Sequence, residues 1–210
     1  MDGVLFDSEN LDRKCWQKCL SDYGITDADT VFGKCIGRPL DEAIAILDAE
    51  FGAVCPGFDG RTFRGKTMEL FDEYVEKNGM PLKYFAAECP AGLKKAGFRV
   101  GLASSTSIGR VVPQLEQTGL LRYFDDIVGG GMFKKGKPDP EIFLLSCERL
   151  EGIPSETIVI EDSYNGIRAA HAAGMKPVMV PDVVAPDDEM REKAWKIMPD
   201  LEKVLFELTK

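Results

Sequence analysis

Asp2 stands in a short acidic turn, DGVLFD, at the start of the chain. Ser104, Ser105 and Thr106 close one apolar run, FRVGLASST, and Glu161, Asp162 and Ser163 close another, TIVIEDS. Lys134, Lys135 and Lys137 lie in KKGKPDPEIF; Lys137 is held by a rigid neighbour, Pro138, just before a helix that Asp139 could cap. Three carboxylates converging with hydroxyls would suit Mg²⁺, which takes a few hard oxygen ligands and leaves the rest to water and phosphate. A lysine at the same edge would complete a phosphate site. Phosphoryl transfer asks mainly for positioning and charge neutralisation, and these groups supply both. Each short motif is unspecific by itself: an ED pair after a strand is common, and GKPDP reads equally as a turn with a helix cap.

Such residues need elements to hold them. SENLDRKCWQKCLSDYG has apolar positions at 11, 15, 16, 19, 20 and 23, the stripe of a helix that Ser8 would cap and Gly24 would stop. PLDEAIAILDAEFG repeats the pattern at Leu40, Ile44, Leu47 and Phe51, with Pro39 near its start. RTFRGKTMELFDEYVEKNG predicts a third helix, ending at Gly79. Beyond residue 80 the texture changes. FRVGLASST, FDDIVGGG, TIVIEDS and KPVMVPD read as strands, separated by the helical stretches IGRVVPQLEQTG, DPEIFLLSCERLEG and YNGIRAAHAAG. That alternation means βαβ units and a parallel sheet, an α/β fold. Ligands in such sheets bind beyond the carboxyl ends of the strands, where the hydroxyls and carboxylates fall. The tail from Pro186 predicts an edge element and a closing helix. Pro90 predicts a helix that starts late or kinks, and Pro113 raises the same expectation for the next one.

The 210 residues suit one domain, or one with a modest insertion. A formal net charge of -9 with no run of Lys or Arg longer than two argues against nucleic acid or an anionic membrane surface as a partner. No apolar stretch has the length of a membrane span, and the start lacks the basic and apolar regions of a signal peptide. The six cysteines form no CxxC pair; Cys15 and Cys19 share a helix face with Leu11, Trp16 and Leu20 and read as small core residues. A reducing cytoplasm is the expected compartment, and a monomer the expected state. The lone histidine, His171, excludes a His-rich metal site and reads as a partly exposed residue near a helix C-terminus.

In order, DGVLFDSE, GLASSTS, GKPDPEIF and IVIEDSYNGIRAA resemble the four motifs of the haloacid dehalogenase superfamily. Within it, the chain is most similar to the branch holding β-phosphoglucomutase and small sugar-phosphate phosphatases. The resemblance covers nearly the whole chain. It implies a Rossmann-like parallel-sheet core, residues 1–8 and 81–210, with a helical cap domain of residues 9–80 inserted after the first motif. It also implies Mg²⁺ as cofactor and a small phosphorylated substrate.

The family's first motif reads D-x-D-G-V-x-x-D-[ST]. Its first Asp is the nucleophile that becomes an aspartyl phosphate, and its second is the general acid/base. Asp2 matches the second, because Gly3 and Val4 follow it; the resemblance implies that its carbonyl also binds Mg²⁺. Ser104 matches the hydroxyl that binds the transferring phosphoryl group, with Ser105 beside it as a substrate contact. Lys137 matches the lysine that neutralises phosphate and nucleophile. Glu161 and Asp162 match the acidic pair that holds Mg²⁺, and Asn165 of the same motif is a candidate substrate contact. Arg38, in IGRPLDEA, falls in the cap loop that faces the active site, and suits a solvated helix entry equally well. Asp7 and Ser8 match the hinge.

On this alignment the nucleophile belongs directly ahead of Met1, at the end of a buried strand that is central in the family. That strand lies between those ending at Ser104 and Glu161. The expectation is a start placed one strand too late, or a truncated chain, and no catalysis without the missing Asp. A natural pseudoenzyme acting as a binding domain is the competing reading. A phosphoglucomutase-type isomerase is another, and against it stands Asp12, in LDRKCW, where the mutase has His.

Overall fold

The computed structural model describes Met1 to Lys210 except Gly37 and Pro39. The chain divides into two compact units, Ser8–Pro81 and Met1–Asp7 with Leu82–Lys210.

The first unit is helical: α1 (Ser8–Ser21), α2 (Asp29–Cys35), α3 (Leu40–Gly52) and α4 (Gly60–Asn78). The predicted stripe is buried on α1, where Leu11, Cys15, Trp16, Cys19 and Leu20 face inward. Leu47 and Phe51 of α3 and Phe63 of α4 join Trp16 in one core. Trp16 meets Phe32 and Phe63 edge-on, with ring centroids 4.9 and 5.2 Å apart, the arrangement that ring quadrupoles favour. Cys15, Cys19 and Cys35 are free thiols, and burial pushes all three up in pKa, as suits packing groups.

Three details depart from the pattern or lie beyond it. Helix α2, DTVFGKC, has only seven residues, too few to show a periodic stripe in the sequence. Ser8 is itself the first residue of α1, and its buried Oγ finds no partner among the described residues, so the expected cap is not made. Pro39, expected near the start of α3, lies outside the described residues. Helix α4 does have a cap: Asp59 Oδ1 accepts the Thr62 N–H at 2.7 Å, and Gly79 at φ 79° stops the far end. Asp59→Ala is expected to lower stability by about 1 kcal/mol, seen as a shifted denaturant midpoint in tryptophan fluorescence.

The second unit is α/β. Its helices are α5 (Glu88–Lys95), α6 (Ile108–Gln117), α7 (Glu141–Arg149), α8 (Tyr164–Ala172), α9 (Asp188–Lys193) and α10 (Leu201–Leu208). Strand β1 (Gly101–Ser107) runs parallel to β2 (Asp126–Gly130), with Leu102 opposite Ile127 and Ala103 opposite Val128. A second parallel sheet has the order β3 (Ile158–Glu161), β4 (Lys176–Met179), β5 (Lys196–Ile197). Val128, Ile142 and Phe143 share a core with Val159, Ala169 and Ala170, so α7 and α8 bind the two sheets together. Strands β1 and β3 are not paired with each other. Between them lies a cavity of about 390 Å³, lined by Leu102 and Ala103 of β1, Val159 and Ile160 of β3, and Phe143 of α7.

Helix α5 begins two residues before Pro90, so the proline falls in its first turn, where a missing N–H costs nothing. Pro113 lies inside α6, which continues past it without ending. Among the described residues no helix is long and apolar enough to cross a membrane.

Candidate active site

Two ties place Asp2 at the carboxyl edge of the strands. Thr106 Oγ1, at the end of β1, donates to Asp2 Oδ2 at 2.9 Å. Gly3 adopts φ 70°, and a Cβ there would collide with the Asp162 carboxylate just beyond β3. Only glycine lets the turn take this backbone and press that close. The Asp2–Gly3 turn therefore bridges the ends of β1 and β3.

Ser104 is buried, and its Oγ accepts the Thr106 N–H at 3.1 Å. Lys137, in a cis Lys137–Pro138 peptide ahead of α7, directs Nζ to Glu161 Oε1 and lies 4.9 Å from the Phe143 ring centre. Glu161 Oε2 accepts the Asp162 N–H, the Ser163 N–H and the Ser163 hydroxyl, each at 2.9 Å. Ser163 Oγ in turn caps α8 through the Gly166 N–H at 3.1 Å. Gly166 leaves the room that Glu161 fills, for a Cβ there would meet its carboxylate. Lys83 joins Asp182 at 2.5 Å and lies 3.5 Å from Asp7, tying the segment that leaves this unit to the one that returns.

The description "Haloacid dehalogenase-like hydrolase" matches residues 1–180. The chain belongs to that family. It is 32% identical over 180 residues to a phosphorylated carbohydrates phosphatase of Thermotoga maritima, covering 85% of this chain and 81% of the relative. It is 31% identical over 181 residues to the fructose-1-phosphate phosphatase YqaB of Escherichia coli, covering 86% and 93%. Among solved structures, a HAD family hydrolase of Deinococcus radiodurans with bound phosphate and sodium superposes with a TM-score of 0.78 at 26% identity. That match covers 97% of this chain and 90% of the other.

In this hydrolase the site differs from the expected ligand set. Among the described residues no three His, Cys, Asp or Glu side chains converge on one point. Glu161 is taken up by Lys137 and by N–H and hydroxyl donors, and the Asp2 side chain by Thr106. The three carboxylates of Asp2, Glu161 and Asp162 do not form the cluster that the sequence suggested. What remains is the Asp162 carboxylate lodged against the Gly3 backbone. Mg²⁺ needs only one or two carboxylates, with carbonyl, water and phosphate oxygens completing the shell. Asp162 supplies one such carboxylate at this edge.

The other expected contacts lie apart from this cluster. Ser105 is exposed. Asn165 Oδ1 accepts from Arg168 at 3.0 Å, and Arg168 is paired with Glu189. Arg38, in the helical unit, donates to the Lys34 carbonyl at 2.7 Å and is exposed, as a helix-entry residue would be. Sequence reasoning gave no part in the site to Thr106, Gly3 or Gly166. The hydroxyl run gave a signal for Thr106, and a glycine inside the helical stretch YNGIRAA gave one for Gly166.

Electrostatics separates the two neighbouring acids. Burial pushes the Glu161 carboxyl up, but Lys137, the amino group of Met1 and the donors around it outweigh burial and hold it down at about 2. Burial and the Glu161 charge push Asp162 up to about 8. Glu161 thus contributes stability that is present above its unfolded pKa of 4.5 and lost as pH falls toward 2. Asp162 has the opposite sign: its contribution is full below 3.8 and is lost as pH rises through about 8. Asp162→Asn is therefore expected to stabilise the chain at pH 8 without metal, by on the order of 1–3 kcal/mol. Millimolar Mg²⁺ should raise the Tm of the unmodified chain and leave the variant's unchanged. Equal Mg²⁺ responses would show that Asp162 is not a ligand.

Proposed function

We propose that this hydrolase is a Mg²⁺-dependent phosphatase of a small phosphorylated metabolite, a sugar phosphate by class. In this reading it works through an aspartyl phosphate on an Asp directly ahead of Met1. The observation that carries the reading is the carboxyl edge itself. Along it lie a carboxylate (Asp2) and a hydroxyl (Ser104), both tied to Thr106, and a buried cation (Lys137) paired with Glu161. The names of the Thermotoga maritima and Escherichia coli relatives support the substrate class.

In the first half-reaction the nucleophile's carboxylate oxygen bonds to phosphorus and the phosphorus–oxygen ester bond breaks. Asp2, protonated, gives its proton to the departing alcohol oxygen. In the second half, Asp2 takes a proton from a water molecule whose oxygen attacks the same phosphorus. Inorganic phosphate leaves and the carboxylate is restored. The Thr106 hydroxyl, which donates to Asp2 Oδ2, orients the carboxyl group. Ser104 donates to a phosphoryl oxygen, and Lys137 offsets the charge shared by phosphate and nucleophile. Bound Mg²⁺ would neutralise phosphate charge and align the phosphoryl group for in-line transfer.

One observation weighs against an isomerase. Asp12, at the position where the mutase carries His, is bound to Arg64 at 3.0 and 3.1 Å, with Arg64 also held by Thr67. A carboxylate so engaged is not a free proton carrier. The test uses the chain extended ahead of Met1 by an apolar strand ending in Asp. Phosphate release from a panel of hexose and pentose phosphates is followed with Mg²⁺ and with EDTA. Mg²⁺-dependent release is expected, and its absence on every sugar and aryl phosphate would defeat the reading.

A further inference from the structure

We infer that Lys83 is a positioning residue for Asp2, holding the turn that carries this acid through a buried ion pair with Asp182. The effect on catalysis rests on the phosphatase reading; the hold on the turn does not. Every residue involved belongs to the α/β unit.

The turn needs a hold from outside. Thr106 fixes only the Asp2 side chain. The backbone around it closes on itself. The Met1 carbonyl accepts the Leu5 and Phe6 N–H groups at 2.8 and 3.1 Å, and the Phe6 carbonyl accepts the Gly3 N–H at 3.0 Å. A loop closed in this way, with a glycine inside it, can shift as one piece. The segment at Leu82 and Lys83 grips it from behind. Phe6 makes an antiparallel bridge with Leu82, and the Leu5 carbonyl accepts the Lys83 N–H at 2.8 Å. The place of Asp2 therefore depends on where Lys83 is held.

Charge holds Lys83. Its Nζ lies 2.5 Å from Asp182 Oδ1 and 3.5 Å from Asp7 Oδ1, just past the turn. The Asp182 side chain is only 5% exposed, and its buried Oδ2 has no hydrogen-bond partner among the described residues. A carboxylate so far from water, with one oxygen unbonded, keeps its charge only beside a cation. This pair differs in kind from exposed ones such as Arg61 with Asp41, which water screens. Asp182 itself has a fixed seat. Two residues before it, the Val180 N–H donates to the Glu161 carbonyl at 2.8 Å, at the end of β3. Lys83 thus spans from the strand end that bears Glu161 to the turn that bears Asp2. It sets the place of the acid without touching the reacting atoms.

The test replaces both partners, Lys83→Met with Asp182→Leu, so that no buried carboxylate is stranded. In the chain itself, amide exchange followed by NMR is expected to quicken about tenfold at Leu5 and Phe6 and to stay unchanged at Leu115 of α6. Asp182→Asn, which keeps the shape and removes only the charge, should give the same change on a smaller scale. Unaltered exchange at Leu5 and Phe6 in both variants would overturn the inference. In the chain extended by a strand and nucleophile, the paired replacement should lower kcat on a sugar phosphate by about 10²-fold with KM kept. The loss on p-nitrophenyl phosphate should be smaller. Combined with Asp2→Asn, the replacement should cost nothing further, because Lys83 acts through Asp2. Losses that multiply, or that are equal for both leaving groups, would overturn the positioning role. Quickened exchange in a chain whose unmodified extended form hydrolyses nothing would leave the hold on the turn standing and count against the phosphatase reading alone.

Discussion

Lys137→Ala is expected to destabilise this chain by about 3–5 kcal/mol at pH 7. The Lys137 and Glu161 side chains are 13% and 7% exposed, so the pair is largely out of water. Burial alone would drive the Glu161 proton back on, and Lys137 is the largest opposing influence. With the ammonium gone, the buried carboxylate loses its largest counter-charge, and the backbone turn at Asp162 and Ser163 that it organises is weakened. The pH dependence carries the signature. The unmodified chain should lose stability as pH falls from 4.5 toward 2, while the variant's acid limb should be shallower, with Glu207 and the other paired carboxylates still contributing to it. Urea denaturation at pH 7 and pH 3 measures both. A loss below about 1 kcal/mol at pH 7 would mean that the pair is screened as surface pairs are. Lys137→Met combined with Glu161→Leu should recover much of the loss, because an apolar pair needs no compensation.

Asp2→Asn, in the chain extended by a strand and nucleophile, is expected to reduce kcat by about 10²–10⁴-fold with little change in stability. The amide oxygen can still accept the Thr106 hydroxyl, so the turn keeps its tether to β1. What is lost is the proton. The loss should therefore depend on the leaving group: severe for a sugar alkoxide, which must be protonated, and milder for p-nitrophenolate, which departs unaided. A uniform loss across leaving groups would assign Asp2 to positioning instead of proton transfer.

The fold was largely legible because its signals are local. Apolar residues spaced around α1, α3 and α4, and short apolar runs ending in hydroxyls or acids, each report an element without knowledge of its neighbours. Helix α2 escaped because seven residues span barely two turns. The Ser8 cap failed because the helix starts at Ser8 itself, one residue earlier than a cap would allow. Motif order singles out Asp2, Ser104, Lys137, Glu161 and Asp162 as candidates, but it does not reveal their partners. That Glu161 faces Lys137 and that Asp162 presses on Gly3 are contacts across long stretches of chain, set by how the sheets meet. The separation of β1 from β3 is likewise a matter of tertiary arrangement, invisible to any window along the sequence.

The most direct measurement is to trap the covalent intermediate. The chain extended ahead of Met1 by the apolar strand and Asp would be mixed with a radiolabelled sugar phosphate and Mg²⁺, quenched in acid and digested. An aspartyl phosphate predicts label on the Asp next to Met1, removed by hydroxylamine and absent in EDTA. Label on any other residue, or turnover with no trappable phosphoenzyme, would contradict it.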